Sequence, residues 1–164
     1  MTSLIHFRHF SLAVFAACTF AGCSNTKYPN DLPKLHSCTI TITQENVPLA
    51  NANVFLIPAD GIKWNAGGTT DSGGKVVLYT HGKYKGVPLG TYKVTVNKYE
   101  IGPEKPNGEA TLAKTGNFPV PDAFSFVDLQ YTAQNKTPLE VTVTKKNRSF
   151  HFDVGSPVHI LIPK

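Results

Sequence analysis

Gly90-Thr91-Tyr92-Lys93-Val94-Thr95-Val96-Asn97-Lys98 is the stretch that decides the fold class. Tyr92, Val94 and Val96 fall on one side of an extended chain and Thr91, Lys93 and Thr95 on the other, the period-two pattern of a strand with one buried face. One-sided alternation of this kind belongs to antiparallel sheets, whose outer faces meet water. The pattern recurs on both sides of this stretch. Upstream, Lys75-Val76-Val77-Leu78-Tyr79 reads as a strand introduced by the tight-turn cluster Thr70-Asp71-Ser72-Gly73-Gly74, where Asp71 and Gly73 are expected to set a hairpin turn. Asn53-Val54-Phe55-Leu56-Ile57 is a nearly continuous apolar run closed by Pro58 and suits a central strand. Thr39-Ile40-Thr41-Ile42-Thr43 alternates strictly, with Ile40 and Ile42 on one face. Downstream, alternation returns in Leu139–Thr144 and Ser149–Val154, separated by a turn at Asn147-Arg148, and Val158–Ile162 adds a short last strand.

No segment carries a helical period. About seven short strands with turns between them predict an all-β, antiparallel Greek-key β-sandwich. Glu100–Thr137 breaks the pattern with its Pro and Gly residues and reads as one long loop. Its aromatics, Phe118, Phe124, Phe126 and Tyr131, are expected to staple it down, Phe124 and Tyr131 against the sandwich, with Glu104–Gly108 left mobile.

The chain has 164 residues, 41% hydrophobic and 16% charged, which suits one globular domain and excludes a charged disordered chain or a coiled coil. Its net charge of +5 comes from fourteen Lys and two Arg that are scattered, with only Lys145-Lys146-Asn147-Arg148 clustered. That distribution argues against a nucleic-acid partner, which would favour Arg and clustered basic surface with interleaved aromatics.

The first ten residues carry one fixed positive charge, Arg8, and lead into the apolar run Ser11–Gly22, which is shorter than the roughly 20 residues a membrane span needs. Residues 1–22 therefore read as a secretory signal peptide. Phe20-Ala21-Gly22-Cys23 resembles the lipobox of bacterial lipoproteins, departing from it at Phe20, where that pattern has Leu. The resemblance implies that Cys23 is acylated and anchors the chain in a membrane. Ser24 rather than Asp after it implies delivery to the outer membrane. Residues 23–37 then form a tether and residues 38–164 the folded domain. With Cys18 in the removable segment and Cys23 lipidated, Cys38 is left alone, so no disulfide framework is expected. Cys38 reads as a buried structural residue in preference to a reactive thiol.

Pro48-Leu49-Ala50-Asn51-Ala52-Asn53-Val54-Phe55-Leu56, Thr70-Asp71-Ser72-Gly73-Gly74-Lys75-Val76 and Gly90-Thr91-Tyr92-Lys93-Val94-Thr95-Val96 follow one another in order. Together they resemble the carboxypeptidase-regulatory-like, transthyretin-like domains, over roughly Cys38–Lys98. The resemblance implies a transthyretin-like sandwich. All three motifs describe folding and none describes chemistry.

Relatives of that sandwich include enzymes, and each leaves a signature that is missing here. Intradiol dioxygenases hold iron with closely spaced His, whereas His36, His81, His151 and His159 are dispersed. Transthyretin-like hydrolases end in Tyr-Arg-Gly-Ser, whereas this chain ends Ile162-Pro163-Lys164. No peptidase motif is present, and Thr39–Thr43 has no Lys for an isopeptide bond. Gly67-Gly68-Thr69-Thr70 is expected to be a turn and not a phosphate cradle, since no helix follows it. The expectation is a non-enzymatic, lipid-anchored envelope module, with no cofactor, that binds or supports. The alternative is an accessory lipoprotein that binds carbohydrate or peptide, with an envelope protein or glycan as partner. It would use the loops around Trp64 and residues 100–137. Trp64, in Gly61-Ile62-Lys63-Trp64-Asn65, is the candidate ligand contact, and it equally suits a plug at one end of the sandwich.

Overall fold

The computed structural model describes residues 28–59, 63–103 and 120–162. Asp31–Lys164 is a compact unit distinct from Met1–Asn30. The expected signal peptide, Cys23, Phe118 and the expected mobile stretch Glu104–Gly108 lie outside the described residues. Of the expected tether, the part from Asp31 onward belongs to the body. Asp31 forms an ion pair with Lys63, and His36 exchanges two backbone hydrogen bonds with Val87, each 2.9 Å.

The domain is an all-β sandwich. One sheet centres on β1 (Thr39–Gln44), flanked by β12 (Ser149–Asp153) on one side and by β2 (Val47–Pro48) and β5 (Lys75–Val77) on the other. The second runs β11 (Glu140–Val143), β8 (Gly90–Asn97), β3 (Asn53–Pro58), β4 (Ala66–Thr69), β6 (Tyr79–Thr80) and β7 (Tyr84–Lys85). A small third sheet joins β13 (Ile160–Leu161), β10 (Ala123–Ser125) and β9 (Tyr99–Ile101).

The alternation seen in sequence places the core. Ile40, Ile42 and Val76 point inward from the first sheet, and Val54, Leu56, Tyr92, Val94 and Val96 from the second, all fully buried. Register keeps each face together: Val54 lies opposite Val96, Leu56 opposite Val94, and Val141 opposite Tyr92. The Tyr92 ring is buried and its hydroxyl donates to the Pro88 carbonyl at 3.0 Å, which ties the start of β8 to the turn before it.

Four details differ from the sequence reading. β12 runs parallel to β1, the one parallel strand pair among otherwise antiparallel ladders of the described residues. Its direction is set by its crossing from β11 in the other sheet, and alternation alone carries no information on direction. Lys75–Tyr79 is two strands: β5 joins the first sheet and β6 the second, with the buried Leu78 at the crossing. Gly67-Gly68 is no turn but the middle of β4, paired with β3 and β6. In the cluster before β5, the left-handed residue is Gly74 (φ 72°), not Gly73; Asp71 Oδ1 accepts the N–H groups of Gly73 and Lys75, each at 2.9 Å.

The segment 100–137 is partly strand. β9 at its start pairs with β10 in its second half, and a 3₁₀ turn, Leu129–Tyr131, follows. Tyr131 packs against the core, whereas Phe124 stacks on His159 (centroids 4.4 Å apart) with Phe126 tilted against the same ring.

Candidate functional site

β3 is central in its sheet, yet only one of its faces is covered. Val54 and Leu56 are buried while Phe55 between them points outward, 45% exposed. Across the ladder Phe55 faces Gly67, and Gly67 faces Tyr79 of β6, itself 37% exposed. Three residues thus stand in one row on the outer face, an aromatic, a glycine and an aromatic. With strands about 4.8 Å apart, the two aromatic backbones lie roughly 10 Å from each other. A Cβ at Gly67 would meet Phe55 Cδ1 at 2.7 Å and the Val54 carbonyl oxygen at 3.0 Å, so the ring leans over a strand that has no side chain there.

This row floors an open groove of about 590 Å³, within the range of small-ligand sites. A polar row runs beside it, with Asn53 and Thr69 opposite each other and Thr69 Oγ1 donating to Asn53 Oδ1 at 2.9 Å. That bond engages the amide oxygen and orients the Asn53 amide, leaving its NH₂ to donate elsewhere. Asn65 and His81 close one end. Among the described residues the groove's lining holds no Asp, Glu, Lys, Arg or Cys, and the groups it does present suit stacking and neutral hydrogen bonding.

His81 arrives there through an unusual backbone. His81 (φ 51°) and Gly82 (φ 67°) both lie in the left-handed region, the pattern of a type I′ turn, closed by the Lys83 N–H donating to the Thr80 carbonyl at 3.1 Å. Asn or Gly is the commonest residue at the first of these positions, and His is among the non-glycine residues that tolerate it.

Trp64 does not line the groove. It is 7% exposed, with the His81 ring 4.8 Å from its own and the Lys63 ammonium 5.1 Å from its centroid. Lys63 in turn holds the Asp31 carboxyl below the usual carboxylate range by a direct hydrogen bond. Trp64 therefore sits behind the groove wall and supports His81. Cys23, the expected lipidation site, lies outside the described residues. Cys38 is buried, and burial pushes its thiol up to about 11. Among the described residues, no three His, Cys, Asp or Glu side chains converge as metal ligands.

Sequence reasoning missed Phe55, Gly67, Tyr79 and His81. The available signal was the parity of Phe55: Val54 and Leu56 claim the inner face, so a Phe between them faces out.

Comparison with protein-family models, with curated proteins and with solved structures finds no match for this chain.

Proposed function

We propose that this chain is a non-enzymatic binding module of the bacterial cell envelope, a transthyretin-like domain anchored to the outer membrane through Cys23. The observation that carries the binding reading is the Phe55–Gly67–Tyr79 row: two large rings held outward in register on a sheet face, beside oriented neutral hydrogen-bonding groups. Full burial of such a ring is worth about 1.5–3 kcal/mol, and these two stay 45% and 37% exposed side by side on one face. The three ordered sequence motifs support the transthyretin-like assignment, and Ala21-Gly22-Cys23 supports the anchor.

Two measurements test this reading. Wild type should incorporate labelled palmitate and fractionate with membrane, and Cys23→Ala should move to the soluble envelope fraction; an unlabelled wild type would remove the anchor. An isotope-labelled chain should show shifts at Phe55, Tyr79 and His81 when solubilised envelope material is added. Groove signals that no envelope fraction moves would remove the binding role.

A further inference from the structure

We infer that the groove over β4 takes a neutral saccharide, one sugar ring laid by its C–H face against Phe55 and Tyr79. This rests on the groove being the module's binding surface and goes further by naming the ligand's chemistry.

Charge decides first. The chain carries a net charge of +5 and fourteen Lys, yet among the described residues no Lys, Arg, Asp or Glu lines the groove. A site for phosphate, uronate or an acidic peptide gains most of its affinity from cations placed against the ligand. Here the lining holds amides, hydroxyls and an imidazole, which match a ligand rich in uncharged hydroxyls.

Shape decides next. An extended peptide that adds to a sheet needs an open strand edge with free backbone groups. The groove floor is an interior strand, paired at Gly67 with Phe55 on one side and Tyr79 on the other. What it offers is side-chain surface: two half-exposed rings on backbones roughly 10 Å apart, with the Phe55 ring lying over the glycine between them. A pyranose has an apolar face of C–H groups and a periphery of hydroxyls. The rings meet the first. Asn53, held by Thr69, together with Asn65 and His81, meets the second. At about 590 Å³ the groove admits a short oligosaccharide.

Trp64 is the only Trp in the chain and lies 4.8 Å from His81, so its fluorescence reports on the groove without a label. The test uses the full-length chain in a detergent without a sugar headgroup. It is titrated with chito-, cello- and malto-oligosaccharides, with polygalacturonate and with a capped Ser/Thr-rich peptide. The readouts are Trp64 emission and NMR shifts at Phe55, Tyr79 and His81. At least one neutral oligosaccharide series should move all of these signals. Phe55→Ala and Tyr79→Ala, both at exposed positions that leave the core intact, should each weaken binding about tenfold or more, while Tyr79→Phe keeps most of it. Equal loss in Tyr79→Phe and Tyr79→Ala would overturn the stacking geometry. A groove moved by the peptide or by polygalacturonate and by no neutral saccharide would overturn the inference while leaving the binding module standing. A groove that none of these probes moves overturns it as well, and the envelope-material titration then decides the broader reading separately.

Discussion

The Asp153 carboxylate, at the end of β12, receives the backbone N–H of Asn46 at 2.8 Å and so holds the turn of a hairpin to which it does not belong. The same carboxylate accepts from Thr43 Oγ1 at 2.8 Å, from the Gly155 N–H at 2.9 Å and from the Glu45 N–H at 3.3 Å. Glu45 and Asn46 both have positive φ (48° and 66°), so the β1–β2 turn is a tight one whose N–H groups need an acceptor. These bonds, that of Asn46 first, hold the Asp153 carboxyl below its usual range. A group depressed in the folded state lends stability above its unfolded value of about 4, and that stability is lost as pH falls through the lower folded value. Asp153→Asn should therefore lower the urea midpoint at pH 7 and narrow its gap to wild type below pH 4. A gap that is constant from pH 7 to pH 2 would show that the carboxylate charge is irrelevant to the turn.

Tyr92 and Pro88 provide a second test. Tyr92→Phe keeps the buried ring and removes the hydroxyl, leaving the Pro88 carbonyl without the bond that it accepts at 3.0 Å. An acceptor stranded in the interior costs about 1–3 kcal/mol. Denaturant unfolding should show that loss with an unchanged slope. A change below about 0.5 kcal/mol would mean that this hydrogen bond does not stabilise the start of β8.

The faces of the sandwich were legible because burial on one side imposes a period of two. Ile40 and Ile42, or Tyr92, Val94 and Val96, have no other way to share a core. Pairing was less legible. The run from Lys75 to Tyr79 alternates without a break while its partner strand changes from β1 to β4 at Leu78, and β12 alternates identically whether parallel or antiparallel to β1. Gly67 and Gly68 read as a turn because residues without side chains show no face. The groove was hidden for a related reason. Phe55 sits in an apolar run that looks like core from end to end, and only its parity between the inward Val54 and Leu56 signals that it is displayed. Trp64, conspicuous as a lone aromatic in a Gly-flanked loop, is sealed by Lys63 and His81, which sequence spacing does not bring together.

Cys38 carries a pH dependence of the opposite sign to that of Asp153. Burial raises its thiol to about 11, against the smaller opposing effects of the Thr39 N–H and the Arg148 charge. A raised value means that the neutral thiol's contribution is complete below the unfolded value of about 8.5 and disappears as pH climbs toward 11. The stability difference between wild type and Cys38→Ala should shrink over that interval. Cys38→Ser, which buries a hydroxyl in the core, should cost about 1–3 kcal/mol more than Cys38→Ala at neutral pH. Mass-spectrometric mapping should find Cys38 unmodified by iodoacetamide at pH 8 in the native state and fully modified in urea. Fast native alkylation would overturn the assignment of a structural thiol.

Gly73, Gly74 and Gly82 separate two reasons for which a chain uses glycine. At Gly74 both apply: φ is +72°, and an added Cβ would lie 2.3 Å from the Ile42 carbonyl oxygen and 3.1 Å from the Leu49 nitrogen. Both neighbours are backbone in β1 and in the chain leaving β2, so neither can turn aside as a side chain would. At Gly82 only the first applies, with φ +67° and open space around the missing Cβ. At Gly73 φ is unrestricted, and the nearest contact is the Asp71 carboxylate oxygen at 3.3 Å. Left-handed backbone costs an L-residue about 1–2 kcal/mol, and a clash with fixed backbone adds to that. Gly82→Ala should therefore cost about 1 kcal/mol and Gly73→Ala less. Gly74→Ala should cost about 3 kcal/mol or more, because β1, β5 and the turn must separate to admit a methyl group. Urea unfolding of the three variants gives the order directly. If Gly74→Ala were no worse than Gly82→Ala, the contact between this turn and β1 would be loose, and the resemblance of Thr70–Val76 to a structural turn motif would lose its physical basis.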